Sequence, residues 1–392
     1  MTDSAASIDP LQRAAARARA WLMEQAFPLW STAGRAEAGD FVEGLTLTGS
    51  PETDTPRRTL VQARQVYAYC EAERLGWPGG AKIARVGLER LLDRNPAPDG
   101  GWVHALHADG LTADGRRQLY DHAFVLFALG QAATLLDEPR TRVAAEETLT
   151  FLDAALAEAT GGYAEGLPPT LPRRSNPHMH LLEALLVWVE IDEPAFAPRA
   201  QILLDLFGRA FFDAEAGVLT EYFTPDWRPA AGVAGRVVEP GHLYEWAWLL
   251  GWARHLGLRT PDGAADALFA FAERHGRDAA GFVIDECDRD GAQVRRTRRL
   301  WPQTERIKAL VARARQGDAE ADALAAAHAE TIVDTYLAGP VSGGWIDRFD
   351  AEARPDVERI PASSLYHVTL AFAELIGLAE DRARLASKRP GG

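Results

Sequence analysis

Apolar residues recur at three- and four-residue steps in LERLLDR (88–94), FVLFALGQAATLL (124–136), HLLEALLVWVEI (180–191), ILLDLFGRAFF (202–212), LYEWAWLLGWARHLG (243–257) and VTLAFAELIGL (368–378). That period predicts a mainly helical chain. Alternating, strand-like runs are confined to a few residues, as in GWVHAL (101–106) and GFVIDE (281–286). Each follows a glycine turn. These turns recur as Gly39-Asp40-Phe41, Gly100-Gly101-Trp102, Gly161-Gly162-Tyr163, Gly217-Val218, Gly281-Phe282 and Gly343-Gly344-Trp345, roughly sixty residues apart. Each unit reads as two helices plus a short hairpin or turn. Six such units closed into a ring make an all-α (α/α)6 barrel with short β-hairpins or turns at its mouth; an open α-solenoid is the competing arrangement. No linker, charge block or low-complexity segment divides the chain, so residues 1–392 are expected to form one domain. The proline-rich LPPTLPRR (167–174) is expected as a loop over the mouth, and the alanine-rich run at 318–330 as a helix.

About twenty residues after each turn a helix begins, and its first turns carry a polar group: Arg64, His122, His180, His242, Glu305 and His367. In an (α/α)6 barrel the inner helices run the same way, so their N-termini, with their dipoles, converge on one mouth. The six positions are therefore expected to ring one pocket. A lone histidine at a helix start is usually structural, but four of the chain's ten histidines fall in this phase. His104, His107, His255, His275 and His328 fall outside it and are expected to be structural or on the surface. Asn176 reads as an N-cap with Pro177 as the first helical residue. His180 and Glu183 then share a helix face, whereas His178 falls among leucines on another. His242 and Glu245 are adjacent on the next such helix, with Trp246, Leu249 and Ala253 below them. Trp30, Trp102, Trp227, Trp301 and Trp345 lie where they could stack on a flat ligand, while Trp246, Trp248 and Trp252 have core spacing.

Composition narrows the function classes. A formal charge of -14 argues against nucleic acid and against an anionic membrane surface as partners. The arginines of Arg295-Arg296-Thr297-Arg298-Arg299 could grip a phosphate or form a solvated edge. The two cysteines, Cys70 and Cys287, lie in no metal-binding or disulfide pattern and read as buried thiols. The N-terminal stretch lacks the apolar core of a signal peptide, and a cytoplasmic protein is expected.

The segments VQARQVY (61–67), QLYDHAFVLFAL (118–129), SNPHMHLLEA (175–184), EPGHLYEWAWLL (239–250), RLWPQTE (299–305) and SSLYHVTLAFAEL (363–375) span nearly the whole chain. At them it resembles the N-acylglucosamine 2-epimerase superfamily, which includes mannose isomerase, sulfoquinovose isomerase and cellobiose 2-epimerase. The resemblance implies the (α/α)6 barrel, a small-molecule sugar substrate, and no metal or redox cofactor. It places an acid/base pair on His242 and His367, and a ring-opening histidine on His180. The substrate-gripping arginine falls on Arg64; Tyr120, Asn176, Glu245 and Glu305 match polar pocket positions, and Arg236 matches a second family arginine. With His122 from the phase and Trp301 as a stacking surface, these complete the expected site. The expected reaction is aldose–ketose isomerisation of the mannose/fructose type through an enediol, in a monomer or homodimer. A 2-epimerase is the alternative, then a mannose 6-phosphate isomerase. A glycoside hydrolase would need two opposed carboxylates, and a helical binding protein would need no histidine ring.

Overall fold

The computed structural model describes residues 9–388. Residues 1–8, part of the stretch read for a leader, lie outside the described residues. Among the described residues thirteen α-helices follow one another: α1 (Pro10–Trp21), α2 (Phe27–Thr32), α3 (Thr59–Arg74), α4 (Gly80–Arg94), α5 (Leu119–Ala133), α6 (Arg140–Phe151), α7 (Ser175–Glu190), α8 (Ala197–Leu206), α9 (Pro240–His255), α10 (Ala264–His275), α11 (Leu300–Arg315), α12 (Ala321–Thr335) and α13 (Ser364–Ser387). The odd-numbered helices from α3 to α13 are buried around most of their circumference, as Leu60 to Cys70 of α3 show. They pack in the cyclic order α3–α5–α7–α9–α11–α13–α3. The ring closes, which makes the fold an (α/α)6 barrel rather than a solenoid. Outer helices α4, α6, α8, α10 and α12 each lean on the inner helix before them, and α1 returns to cover α13 and α12.

Short antiparallel strands fasten the mouth. Residues 57–58 pair with 105–106, 117–118 with 166–167, 173–174 with 222–223, 237–238 with 287–288, 298–299 with 348–349, and 359–361 return to 44–46. The expected short β elements are present. These six pairs are not local hairpins, however. Each ties the strand entering one inner helix to the segment after the next glycine turn, and the last joins the two ends of the chain. The proline-rich 167–174 spans two such strands at this end.

A second device locks each helix start to its turn. The fourth residues of α3, α5, α7 and α11 are Gln62, His122, His178 and Gln303. Gln62 Oε1 accepts the Phe41 N–H at 2.9 Å, His122 Nε2 the Trp102 N–H at 3.1 Å, His178 Nε2 the Tyr163 N–H at 3.0 Å, and Gln303 Oε1 the Val283 N–H at 2.9 Å. The Nδ1–H of His122 and of His178 donates to the carbonyls of Gln118 and Arg174. Burial holds both rings neutral by lowering their pKa to about 4, as an accepting nitrogen requires. Gly101 and Gly162 adopt positive φ beneath these rings, and a Cβ on Gly101 would stand 2.7 Å from His122 Nε2. His122 therefore faces the turn and stacks on Phe151, not the expected pocket.

Most of the tryptophans considered for stacking are structural. Trp30 donates to the Gly343 carbonyl and stacks on Trp345; Trp102 donates to Thr148, and Trp227 to the Gly161 carbonyl. Cys70 and Cys287 are buried free thiols, as read. Among the described residues no helix is long and apolar enough to cross a membrane.

The shared lock gives a test. His178→Ala orphans the buried Tyr163 N–H and opens a cavity, and should cost about 3 kcal/mol in denaturant unfolding. His178→Gln, which installs the side chain used at Gln62 and Gln303, should cost only about 1 kcal/mol. Equal losses in the two variants would mean that the hydrogen bond is not what the position supplies.

Candidate active site

Inner-helix N-termini bring one residue each to the barrel axis from the sixth position of α3, α5, α7, α9 and α11: Arg64, Phe124, His180, Glu245 and Glu305. His367 arrives from the first turn of α13. The ring is continuous. The Arg64 guanidinium lies 4.0 Å from the centroid of the Phe124 ring and 4.9 Å from that of Tyr366, and donates to Tyr120 Oη at 3.0 Å. Phe124 and Tyr120 flank the His180 ring at 4.7 and 5.2 Å between centroids. The second member of the phased set is thus Phe124, two residues on from His122.

Each of the three pocket histidines has its Nδ1 bound to a carboxylate. His180 Nδ1–H donates to Glu183 Oε2 at 3.0 Å and His367 Nδ1–H to Glu305 Oε1 at 2.9 Å; His242 Nδ1–H lies 3.1 Å from both oxygens of Glu221. A carboxylate fixes the imidazole's tautomer and leaves Nε2 for chemistry. His242 and His367 pack against the same indole, Trp301, at centroid distances of 5.1 and 5.8 Å. The two imidazoles therefore flank one indole.

Their electrostatic settings are opposed. Burial would depress the His242 pKa, but Glu221, Glu239 and Glu245 outweigh it and raise it to about 9. Burial holds His367 well below the usual imidazole range, and Arg64, Lys308 and the other two histidines push the same way. One ring is kept charged and the other neutral at the same pH.

Lys308, one turn below Glu305 and fully buried, had no place in the sequence phase. Its Nζ lies 2.5 Å from Glu305 Oε2 and 3.6 Å from Glu245 Oε1, and over the Trp248 ring at 4.0 Å. Burial works against its charge, but Glu305, Glu245 and Glu183 raise its pKa above the ordinary lysine value. Glu305 is driven upward by burial and by Glu245. Glu183 is held below the ordinary value: burial opposes this, but His180, Lys308 and the Tyr366 hydroxyl outweigh it. His180, Glu183 and Glu245 have the donor spacing of a cation site, as do Glu221, Glu239 and His242. In the first cluster the Lys308 ammonium already supplies the compensating charge. In the second, Glu239 is committed to Arg299 and Glu221 to His242 and Ser175.

Other expected residues land differently. Asn176 is not an N-cap: α7 starts at Ser175, and Asn176 Oδ1 is buried without a hydrogen-bond partner. Arg236 is exposed in a short 3-10 turn, paired with Asp288 and Asp290, because its loop turns outward before α9. In the 295–299 run, Arg295 pairs with Glu286, Arg298 with Asp278, and Arg299 with Asp285 and Glu239. A second polar ring, unread in the sequence, sits two or three residues past the aromatic or apolar residue of each turn: Glu43, His104, Glu165, Glu221, Asp285 and Asp347. Glu43, Glu165 and Asp285 each accept the backbone N–H and Nε–H of Arg58, Arg174 and Arg299. His104 meets buried Asp121, and Asp347 accepts from Ser364. His328 is buried against the Gln303 carbonyl, while His107 and His255 are exposed.

The family profile described as N-acylglucosamine 2-epimerase (GlcNAc 2-epimerase) matches residues 39–371. The chain belongs to this family. It is 38% identical over 370 residues to a mannose-6-phosphate isomerase of Rhizobium meliloti (strain 1021), covering 91% of this chain and 95% of that one. It is 30% identical over 381 residues to a D-mannose isomerase of Thermobifida fusca, covering 88% and 90%. In fold it matches a cellobiose 2-epimerase of Spirochaeta thermophila DSM 6192 with a TM-score of 0.85, at 21% identity, over 96% of this chain and all of that one. The N-acylglucosamine 2-epimerase family member described here is a sugar isomerase or epimerase.

Lys308 supplies a prediction for its turnover. Removing the ammonium in Lys308→Met raises the proton affinity of the Glu305–His367 pair. The acid limb of the kcat/KM profile should move up by about one pH unit or more, as expected for loss of a charge within a few ångströms. Lys308→Arg should restore most of the shift. An unmoved limb in the methionine variant would detach Lys308 from the histidine.

Proposed function

We propose that the enzyme is an aldose–ketose isomerase acting on unphosphorylated D-mannose or a close neutral relative, giving the 2-ketose. The observation that carries the reading is the pair of imidazoles held in opposite protonation states on either contact of Trp301. The names of the two curated relatives, both isomerases of mannose or its 6-phosphate, favour isomerisation over 2-epimerisation.

His180, oriented by Glu183, assists ring opening to the aldehyde. Neutral His367 removes the C2 proton through Nε2 as the electron pair forms the C1–C2 double bond. His242, as imidazolium, protonates O1, and Arg64 stabilises the negative charge that develops on the substrate oxygens. The enediol then loses its O2 proton to His242, and His367, whose proton exchanges with solvent during the lifetime of the enediol, delivers a proton to C1. One proton leaves and one arrives at each end of the enediol, so no oxidant is needed. Positioned acid/base groups of this kind contribute about 10²–10⁴-fold each. The same pair would produce a 2-epimer if the proton returned to C2 from the opposite side.

Rim charge supports a neutral substrate. The guanidiniums of Arg58, Arg174 and Arg299 are already bonded to Glu43, Glu165 and Asp285, and Glu221, Glu239 and Asp347 add further carboxylates. A phosphate dianion would have to break these pairs or face their carboxylates.

Incubation in D2O tests the reading. Mannose should yield fructose carrying deuterium at C1, with kcat/KM at least about tenfold above that for mannose 6-phosphate, and His367→Ala should lower turnover by about 10²-fold or more with the fold retained. A C2 epimer labelled at C2 would select epimerisation, and a preference for the phosphorylated sugar would refute the neutral-substrate reading.

A further inference from the structure

The mouth that holds the histidines is one end of the barrel. At the other end, where the inner helices finish, a cavity of about 700 Å³ opens to solvent. Its wall is assembled from last turns: Glu71 of α3, Gln131 of α5, Glu190 of α7, Trp252 of α9 and Arg315 of α11, with Glu374 of the longer α13 at the same level. That volume is in the range of small-molecule sites.

Three features of this cavity agree on the charge of what it would hold. Helix C-termini present carbonyl groups and the negative end of the backbone dipole, and here inner-helix ends meet around one space. Four carboxylates, of Glu71, Glu190, Glu374 and Asp381, line it against a single guanidinium, Arg315, which is already bonded to Glu374. Glu71 is paired with Arg74, and Asp381 with Arg384, whereas Glu190 is in no ion pair among the described residues. Burial and the neighbouring Glu374 carboxylate raise the Glu190 pKa against the opposing pull of the Trp252 N–H, His255 and Arg74, so a cation beside it would favour its ionised form. Aromatic surface completes the lining. Trp248 and Trp252 lie side by side with centroids 5.2 Å apart, and Tyr67 and Phe127 4.9 Å apart. Tyr67 is buried, yet its hydroxyl has no hydrogen-bond partner, an orphan that a ligand in the cavity would satisfy.

We infer that this cavity is a second binding site, distinct from the sugar pocket, for a small organic monocation bearing a primary or quaternary ammonium group. The excess of carboxylates over guanidinium in the lining calls for a positive charge beside Glu190, and the indole faces provide cation–π contacts to a desolvated ammonium. A bare metal ion would leave the aromatic wall unused. The floor of the sugar pocket is the roof of this cavity: Trp248 carries Lys308 on its ring, and the Tyr67 ring contacts Tyr366, whose hydroxyl bonds Glu183. Occupancy is therefore felt one side chain away from the catalytic carboxylates.

Choline is a suitable probe, with its uncharged carbon isostere 3,3-dimethylbutan-1-ol as the control. Calorimetric titration of the full-length enzyme should show one choline site at least about tenfold tighter than any binding of the isostere. Glu190→Gln and Trp252→Ala should each weaken choline by about tenfold, leaving sugar turnover in its absence unchanged. Choline binding that persists in both variants would place the cation elsewhere. Equal binding of choline and isostere would reduce the cavity to an apolar hole, and no heat with either at millimolar concentration would overturn the proposal.

Discussion

Burying ionised groups away from water is among the costliest things a folded chain does, and this barrel buries a cluster of them on its axis. Lys308, Glu183, Glu245 and Glu305 are all fully enclosed. Each would cost several kcal/mol alone; together they are tolerable because the ammonium sits among the carboxylates, and His180, Tyr366 and His367 bond oxygens of Glu183 and Glu305. The compensation is incomplete by design of the neighbourhood. Glu245 and Glu305 crowd the same lysine, and that crowding, with burial, drives the Glu305 pKa upward.

That cluster can exist only inside a closed ring. Inner helices that all begin at one mouth put Arg64, His180, Glu245, Glu305 and His367 within reach of one another, although they come from repeats far apart in sequence. The six β ties hold the mouth, and the pairing of 44–46 with 359–361 closes it. Below them the Gln62, His122, His178 and Gln303 locks fix where each helix starts. A helix slipped by one residue would rotate its ring member about a quarter-turn or more out of the pocket. The geometry of the site is therefore set by hydrogen bonds that never touch the substrate.

Much of this was legible in the sequence. The glycine turns at sixty-residue spacing, with helical patterning between them, carried the barrel, and the six matching segments carried the family. The phase found Arg64, His180, Glu305 and His367 because a polar residue in the first turns of an inner helix has few places to go but the axis. It misread His122, since in α5, as in α7, the histidine at the fourth helical position serves the turn, as glutamine does in two other repeats; comparing His122 with Gln62 would have shown it. It missed Lys308 because a lysine inside a helical pattern reads as solvated surface, and only the neighbouring carboxylates, set by the fold, make it a core residue. The ring of Glu43, His104, Glu165, Glu221, Asp285 and Asp347 was in plain view two or three residues past each turn. Its role was not, since the chain path between the turn and α9, set by the fold, is what turns Glu221 toward His242. Arg236 failed for a local reason: Asp288 and Asp290 hold it outward.

The central claim is that one fold holds two equivalent side chains, His242 and His367, in opposite charge states at neutral pH. Titration of histidine-labelled enzyme by 15N NMR reads this directly, with the His242→Gln and His367→Gln variants assigning the two resonance sets. His242 should remain an imidazolium until about pH 9, whereas His367 should stay a neutral Nδ1–H tautomer throughout the neutral range. Two rings titrating together near the free imidazole value would contradict the account.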